Sequence, residues 1–134
     1  MPPAIAGAPQ RILVADDDPV VRHLVASAVR QAGYIPVAVA DGREAYRILR
    51  DDAGFSAAVF DMVMPHIEGI DIIRHMRTEK RLMRIPVIMM TSESALRLMK
   101  DSFAAGATIF LPKPFTVAQL QSSLSLLLGG KVLA

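Results

Sequence analysis

Ala58-Val59-Phe60-Asp61-Met62-Val63-Met64-Pro65 is a short apolar run that reaches a carboxylate and is stopped by a proline four residues later. A run with no apolar/polar alternation reads as a parallel strand buried on both faces, because helices cover both sides of such a sheet. Asp61 then stands at the carboxyl end of a strand. Ligands of open α/β sheets bind in the crevice outside those ends, so a carboxylate there points to a site; the competing reading is a helix N-cap.

The same unit recurs on either side. Arg11 to Ala15 is a first buried strand closed by Asp16-Asp17-Asp18, and Pro19 follows at once. Asp18 therefore reads as an N-cap with proline at the first helical position, before a stripe of Val21, Leu24, Val25, Ala28 and Val29 that Gly33 ends. That leaves Asp16 and Asp17 without a capping duty. Tyr34 to Ala40 is a second strand, and Pro36 marks it as an edge strand because proline cannot donate to a ladder. Asp41 and Glu44 have capping-box spacing for a helix to about Arg50, with Ala45, Ile48 and Leu49 inward. The third strand is Ser56 to Phe60, followed by Ile67, Ile70, Ile73 and Met76 at helical spacing. Pro86 to Met90 forms a fourth strand ending on Thr91-Ser92. The next helix runs from about Glu93 to Ala105 with Ala95, Leu96, Met99 and Phe103 inward, and Gly106 stops it. Thr108 to Leu111 leads into Lys113-Pro114, and Thr116 with Gln119 caps a last helix lined by Leu120, Leu124 and Leu127.

Five β-α units imply one α/β domain, a doubly wound five-stranded parallel sheet with five helices and right-handed crossovers. Residues 11–128 form it, with a flexible arm at 1–10 and a tail at 129–134. All strands then run one way, so Asp16, Asp17, Asp61, Thr91 and Lys113 gather on one rim.

The chain has 134 residues, 52% hydrophobic and 21% charged, with no cysteine and a net charge of +2. No apolar run approaches the ~20 residues of a membrane span, and the start lacks the basic and apolar segments of a signal peptide. Without thiols there is no disulfide framework, which suits a cytoplasmic protein. The charge is too small to imply nucleic acid. The one basic cluster, Arg74, His75, Arg77, Lys80, Arg81 and Arg84, has no interleaved aromatics and reads as a solvated helix end and loop. No nucleic acid and no membrane are expected as partners.

Three carboxylates on one rim repel. At ~5 Å and an effective dielectric near 20 each pair costs roughly 3 kcal/mol, which raises a pKa or calls for a cation. A hard divalent ion is the natural remedy, and a site with few protein ligands that accepts a phosphate oxygen favours Mg²⁺. With Lys113 as a compact positive charge and Thr91 as a hydroxyl, the set suits phosphoryl transfer, in which a carboxylate can itself be the nucleophile.

These residues carry a resemblance. The acidic pair after Ile12-Leu13-Val14-Ala15, Asp61 with Met64-Pro65 and Gly69, Thr91-Ser92, and Lys113-Pro114-Phe115 resemble the receiver domain of bacterial two-component response regulators, in size the single-domain chemotaxis type. The resemblance covers about residues 11 to 128. It implies the flavodoxin-like strand order 2-1-3-4-5, with which the edge position of the second strand agrees. It implies that Asp61 accepts a phosphoryl group from a histidine kinase or histidine phosphotransfer protein. Asp17 would ligate Mg²⁺ directly and Asp16 mainly through water, with Asp61 and the carbonyl of Val63 completing the set. Lys113, across a cis Lys113-Pro114 bond, and Thr91 would hold the phosphoryl oxygens. Phe110 falls at the switch aromatic, where a frequent tyrosine hydroxyl is missing. His23, His66 and His75 receive no role.

Such a domain catalyses only its own phosphorylation and dephosphorylation. Val63 and Glu93, two residues beyond Asp61 and Thr91, are the candidates that tune loss of phosphate. No effector domain is expected after residue 134, so the expected output is a protein contact. That contact, with a downstream protein or a second copy, is expected on helix four, strand five and helix five, where Leu96, Leu98 and Met99 supply extra apolar surface. Two other classes fit part of the pattern. An aspartate-nucleophile phosphatase of the haloacid dehalogenase type would use Asp16-x-Asp18, but it needs a late acidic pair and Pro114 to Ala134 has no acidic residue. A receiver-like binding module that is never phosphorylated would be expected to lose an acidic ligand, the threonine or the lysine.

Overall fold

A computed structural model describes residues 9–92 and 96–129, without the side chains of residues 96–98. The chain alternates β1 (Arg11–Ala15), α1 (Pro19–Gln31), β2 (Ile35–Val39), α2 (Gly42–Asp51), β3 (Ala57–Asp61), α3 (Gly69–Arg77), β4 (Val87–Thr91), α4 (Leu96–Ala105), β5 (Ile109–Pro112) and α5 (Val117–Leu128). The sheet is wholly parallel in the order β2-β1-β3-β4-β5. This is the doubly wound arrangement expected, and Pro36 lies in an edge strand, where its missing N–H costs no ladder bond.

Strands β3 and β4 are buried at every residue, which is why their sequences show no alternation. Alternate residues feed two cores. Ile12, Val14 and Val59 pack against α1 and α5, with Val25, Val29, Leu120 and Leu124 opposite them. Leu13, Phe60 and Met89 pack beneath α2 and α3, with Leu49, Ile73 and Met76.

Strands β3, β4 and β5 each run one residue closer to the rim than their apolar stretches indicate. Asp61 and Thr91 are therefore the last residues of β3 and β4, and ladder bonds, not hydropathy, decide the end: Asp61 lies opposite Met90. The N-cap of α1 is as expected, with Asp18 Oδ1 accepting from Val20 N at 2.9 Å. The reciprocal capping box of α5 is present in full. At α2 it is displaced by one residue, since Glu44 accepts from Ala40 N rather than from Asp41 N.

Two inward assignments and one helical assignment need correction. Phe103 is 45% exposed, and its neighbour Ser102, one residue and so about 100° away round the helix, is fully buried instead. Leu24 is 40% exposed; it lines a shallow apolar cleft with Val21, Pro114 and Phe115 beside the rim. Ile67 precedes α3, which starts only at Gly69. The residues before it form a loop that packs on α2 so closely that a Cβ on Gly42 would collide with the Ile67 carbonyl oxygen.

The basic cluster is not uniformly solvated. Arg77 folds inward and donates to the carbonyls of Gly106 (2.8 Å), Ile85 (2.9 Å) and Met83 (3.2 Å). Its guanidinium ties the α3–β4 loop to the α4–β5 connection, and burial lowers its pKa. Of the terminal segments, residues 1–8 and 130–134 lie outside the described residues, as do Glu93 and Ala95.

Candidate functional site

The carboxyl ends of β1, β3 and β5 deliver the charged groups to the rim. Asp16 follows β1 and is fully buried; Asp17 beside it is exposed; Asp61 ends β3 at 7% exposure. One carboxylate oxygen of each lies within 4.8 Å of the others. Lys113 follows β5 and its Nζ stands 3.0 Å from Asp16 Oδ2 and 3.6 Å from Asp61 Oδ2. Ninety-seven residues separate Lys113 from Asp16. The lysine backbone is fixed as well, its N–H donating to the Thr91 carbonyl at 2.6 Å. The Lys113-Pro114 bond is cis.

One cation near two buried carboxylates does not neutralise the cluster. The Asp61 pKa is pushed up to about 6. Burial is the largest cause and Asp16 the second; Lys113 and an N–H from Val63 work in the opposite direction, and Asp17 adds a smaller upward push. The site therefore favours either a proton or a metal cation, as expected for crowded acidic groups.

The backbone under Asp61 is equally constrained. Met62 N donates to Met90 O at 2.7 Å and Gly69 N to Met62 O at 3.2 Å. A Cβ on Gly69 would strike the Asp61 carbonyl oxygen, so glycine is required where α3 begins. This gives the glycine behind Asp61 a physical reason.

Asp16, Asp17, Asp61 and Lys113 come together at the rim, whereas Glu93 lies outside the described residues. Thr91 is buried at the end of β4, and Val63 is 59% exposed beside Asp61. Phe110 lies on β5 opposite Met89, half-buried against the core under α3.

Sequence reasoning missed two residues here and misjudged a third. Asp16 does have a local duty, because its Oδ1 accepts from Asp18 N at 2.9 Å in a side-chain turn. Arg22 on α1 donates from one guanidinium nitrogen to the Asp16 carbonyl at 2.9 Å. Buried Ser102 on α4 donates to the sulfur of Met62, the residue after Asp61, at 3.9 Å. A serine on an apolar stripe was the available signal for the last; nothing in the sequence distinguishes Arg22 from other helical arginines.

Residues 12–125 match the response regulator receiver domain family. The chain is 31% identical over 120 residues to chemotaxis protein CheY1 of Helicobacter pylori (strain ATCC 700392 / 26695), covering 89% of this chain and 97% of that protein. It is 32% identical over 122 residues to chemotaxis protein CheY-3 of Vibrio cholerae, covering 90% and 93% respectively. Among solved structures, the receiver domain of sensor histidine kinase PA1611 from Pseudomonas aeruginosa PAO1, with magnesium coordinated in its active-site cleft, superposes with a TM-score of 0.83. That match has 30% identity and covers 92% of this chain and all of the other. The chain belongs to the response regulator receiver domain family. It is a phosphoacceptor signalling module rather than a conventional enzyme, and its class implies a histidine kinase partner. No helix among the described residues is long and apolar enough to cross a membrane.

Proposed function

We propose that Asp61 is the phosphoacceptor. The observation that carries this is the juxtaposition of the three carboxylates within 4.8 Å with Lys113 Nζ against two of them. A carboxylate oxygen of Asp61 attacks phosphorus, the P–N bond of a phosphohistidine breaks, and the imidazole nitrogen keeps the bonding pair. The product is an acyl phosphate. Lys113 and Thr91 would hold the phosphoryl oxygens, and Phe110 at the edge strand is the proposed switch aromatic.

The donor set fits Mg²⁺, since it is all oxygen, compact and short of positive charge. Asp17 and Asp61 with the Val63 carbonyl would hold the ion directly and Asp16 mainly through water. When bound, the ion neutralises charge on the transferred group. The proposed setting is the cytoplasm, with a histidine kinase or histidine phosphotransfer protein as donor. Acetyl phosphate with Mg²⁺ should label the wild type covalently with one phosphoryl group, and Asp61→Asn should abolish the label. A label that persists in Asp61→Asn places the acceptor elsewhere.

The output surface is the face of α4, β5 and α5. Support comes from β5 being a sheet edge, and from exposed Phe103 on α4 and Leu126, 76% exposed, on α5. Phe103→Glu is expected to weaken phosphorylation-dependent association, with a partner or a second copy, by about tenfold or more. Val20→Glu on α1 should leave it intact. Loss through Val20→Glu with Phe103→Glu silent, in sedimentation or pull-down, refutes this assignment.

A further inference from the structure

Asp17 is the one member of the acidic cluster that no described residue grips directly. Among the described residues its carboxylate accepts no hydrogen bond and forms no ion pair, and the residue is exposed. Asp16, by contrast, is held at every polar atom: its N–H by Val39 O, its two carboxylate oxygens by Asp18 N and Lys113, its carbonyl by Arg22. The direction in which Asp17 points must come from its backbone. The peptide plane before it is fixed at the Asp16 carbonyl by the Arg22 guanidinium. The plane after it is fixed at Asp18 N by the Asp16 carboxylate. Those two planes set φ and ψ of Asp17, and so its Cα–Cβ direction.

Arg22 is itself rigidly placed. It sits in the first turn of α1, where its N–H donates to Asp18 O at 2.8 Å and the Asp18 side chain caps the helix. Helical side chains lean toward the N-terminus, which carries its long stem back over the Asp16–Asp17 turn.

From this geometry we infer that Arg22 is a positioning residue that aims Asp17 at the cation, through the Asp16 carbonyl and without touching the ion. This rests on the proposed Mg²⁺ site. Charge and position make opposite predictions here. Arg22 brings a positive charge to the rim, so if it acted only through its field, removing it would tighten cation binding. If it aims Asp17, removing it weakens binding, and partners of this outer kind are typically worth ~10- to 100-fold in metal affinity.

The test is a direct Mg²⁺ titration of the full chain, read by calorimetry or amide chemical shifts, at one pH and ionic strength where every variant is folded. Arg22→Gln is expected to bind about tenfold more weakly than wild type, and Arg22→Lys, which keeps the charge and a donor, to lie within about threefold. Arg30→Gln, an exposed charge at the other end of α1, should not weaken binding. In an Asp17→Asn background the Arg22→Gln effect should vanish, because no carboxylate is left to aim; a general loss of structure would persist there. Equal or tighter binding by Arg22→Gln overturns the inference, as does a full effect in the Asp17→Asn background. Should Arg22→Gln not fold, Arg22→Met, which likewise lacks the charge and the guanidinium donor but keeps the stem, is carried through the same pair of backgrounds and decides by the same criterion. Wild-type protein that binds no Mg²⁺ would instead overturn the reading of the site itself.

Discussion

In metal-free buffer, Asp61→Asn is expected to be more stable than the wild type by about 1 to 3 kcal/mol at neutral pH. That corresponds to a melting temperature roughly 5 °C higher or more for a domain of this size. The cause is the raised pKa. Burial and the neighbouring Asp16 push the Asp61 carboxyl up to about 6 in the folded protein from its ordinary value of 3.8. Between those values the folded state holds a proton that the unfolded state has released, so wild-type stability falls as pH rises through this window. The whole penalty is present above about pH 6, and it disappears below about pH 4, where both states are protonated. Asparagine carries no charge at any pH and escapes it. The variant gives up the 3.6 Å contact with Lys113, but that lysine keeps its 3.0 Å partner Asp16. Melting curves in EDTA across the acid-to-neutral range should therefore converge in acid and diverge toward neutrality. Added Mg²⁺ should then stabilise the wild type more than the variant. A melting temperature for Asp61→Asn at or below wild type at neutral pH would sink this account.

Val63→Asn is expected to shorten the lifetime of the phosphorylated protein at least severalfold. An acyl phosphate is lost when water attacks phosphorus in line, and the residue two beyond Asp61 is the proposed position for a side chain that orients that water. Val63 is 59% exposed there and offers no atom that could orient a water. One orienting contact is worth ~10²-fold when the geometry is tight, and less at an exposed position. Asparagine supplies both a donor and an acceptor at nearly the same volume. Uptake of phosphate onto Asp61 should persist, because the Val63 N–H that reaches Asp61 and the carbonyl proposed as a metal ligand both belong to the backbone, which the substitution keeps. Decay of the radiolabelled protein after removal of acetyl phosphate measures the effect. An unchanged or slower decay would mean that hydrolysis is controlled elsewhere.

What the sequence determined by itself was the ladder of elements and the rim. Buried parallel strands have a continuous apolar signature, and their helices carry local caps such as Asp18-Pro19 and Thr116 with Gln119, so both are written within a few residues. Once every strand is parallel, the residues after each strand share an edge, and Asp16, Asp61 and Lys113 follow from order alone. Three things needed the tertiary structure. The rotation of α4, which buries Ser102 and exposes Phe103, depends on Met62 and the sheet beneath it rather than on hydropathy. The inward fold of Arg77 depends on the carbonyls of Gly106, Ile85 and Met83, up to 29 residues away, and a cluster of basic residues gives no hint of it. The fastening of Asp16 by Arg22, Asp18 and Lys113 depends on where one carbonyl and two carboxylate oxygens point. A sequence states which groups reach a rim, because strand direction fixes that; which way each group then faces is set by hydrogen bonds that form only after the elements have packed.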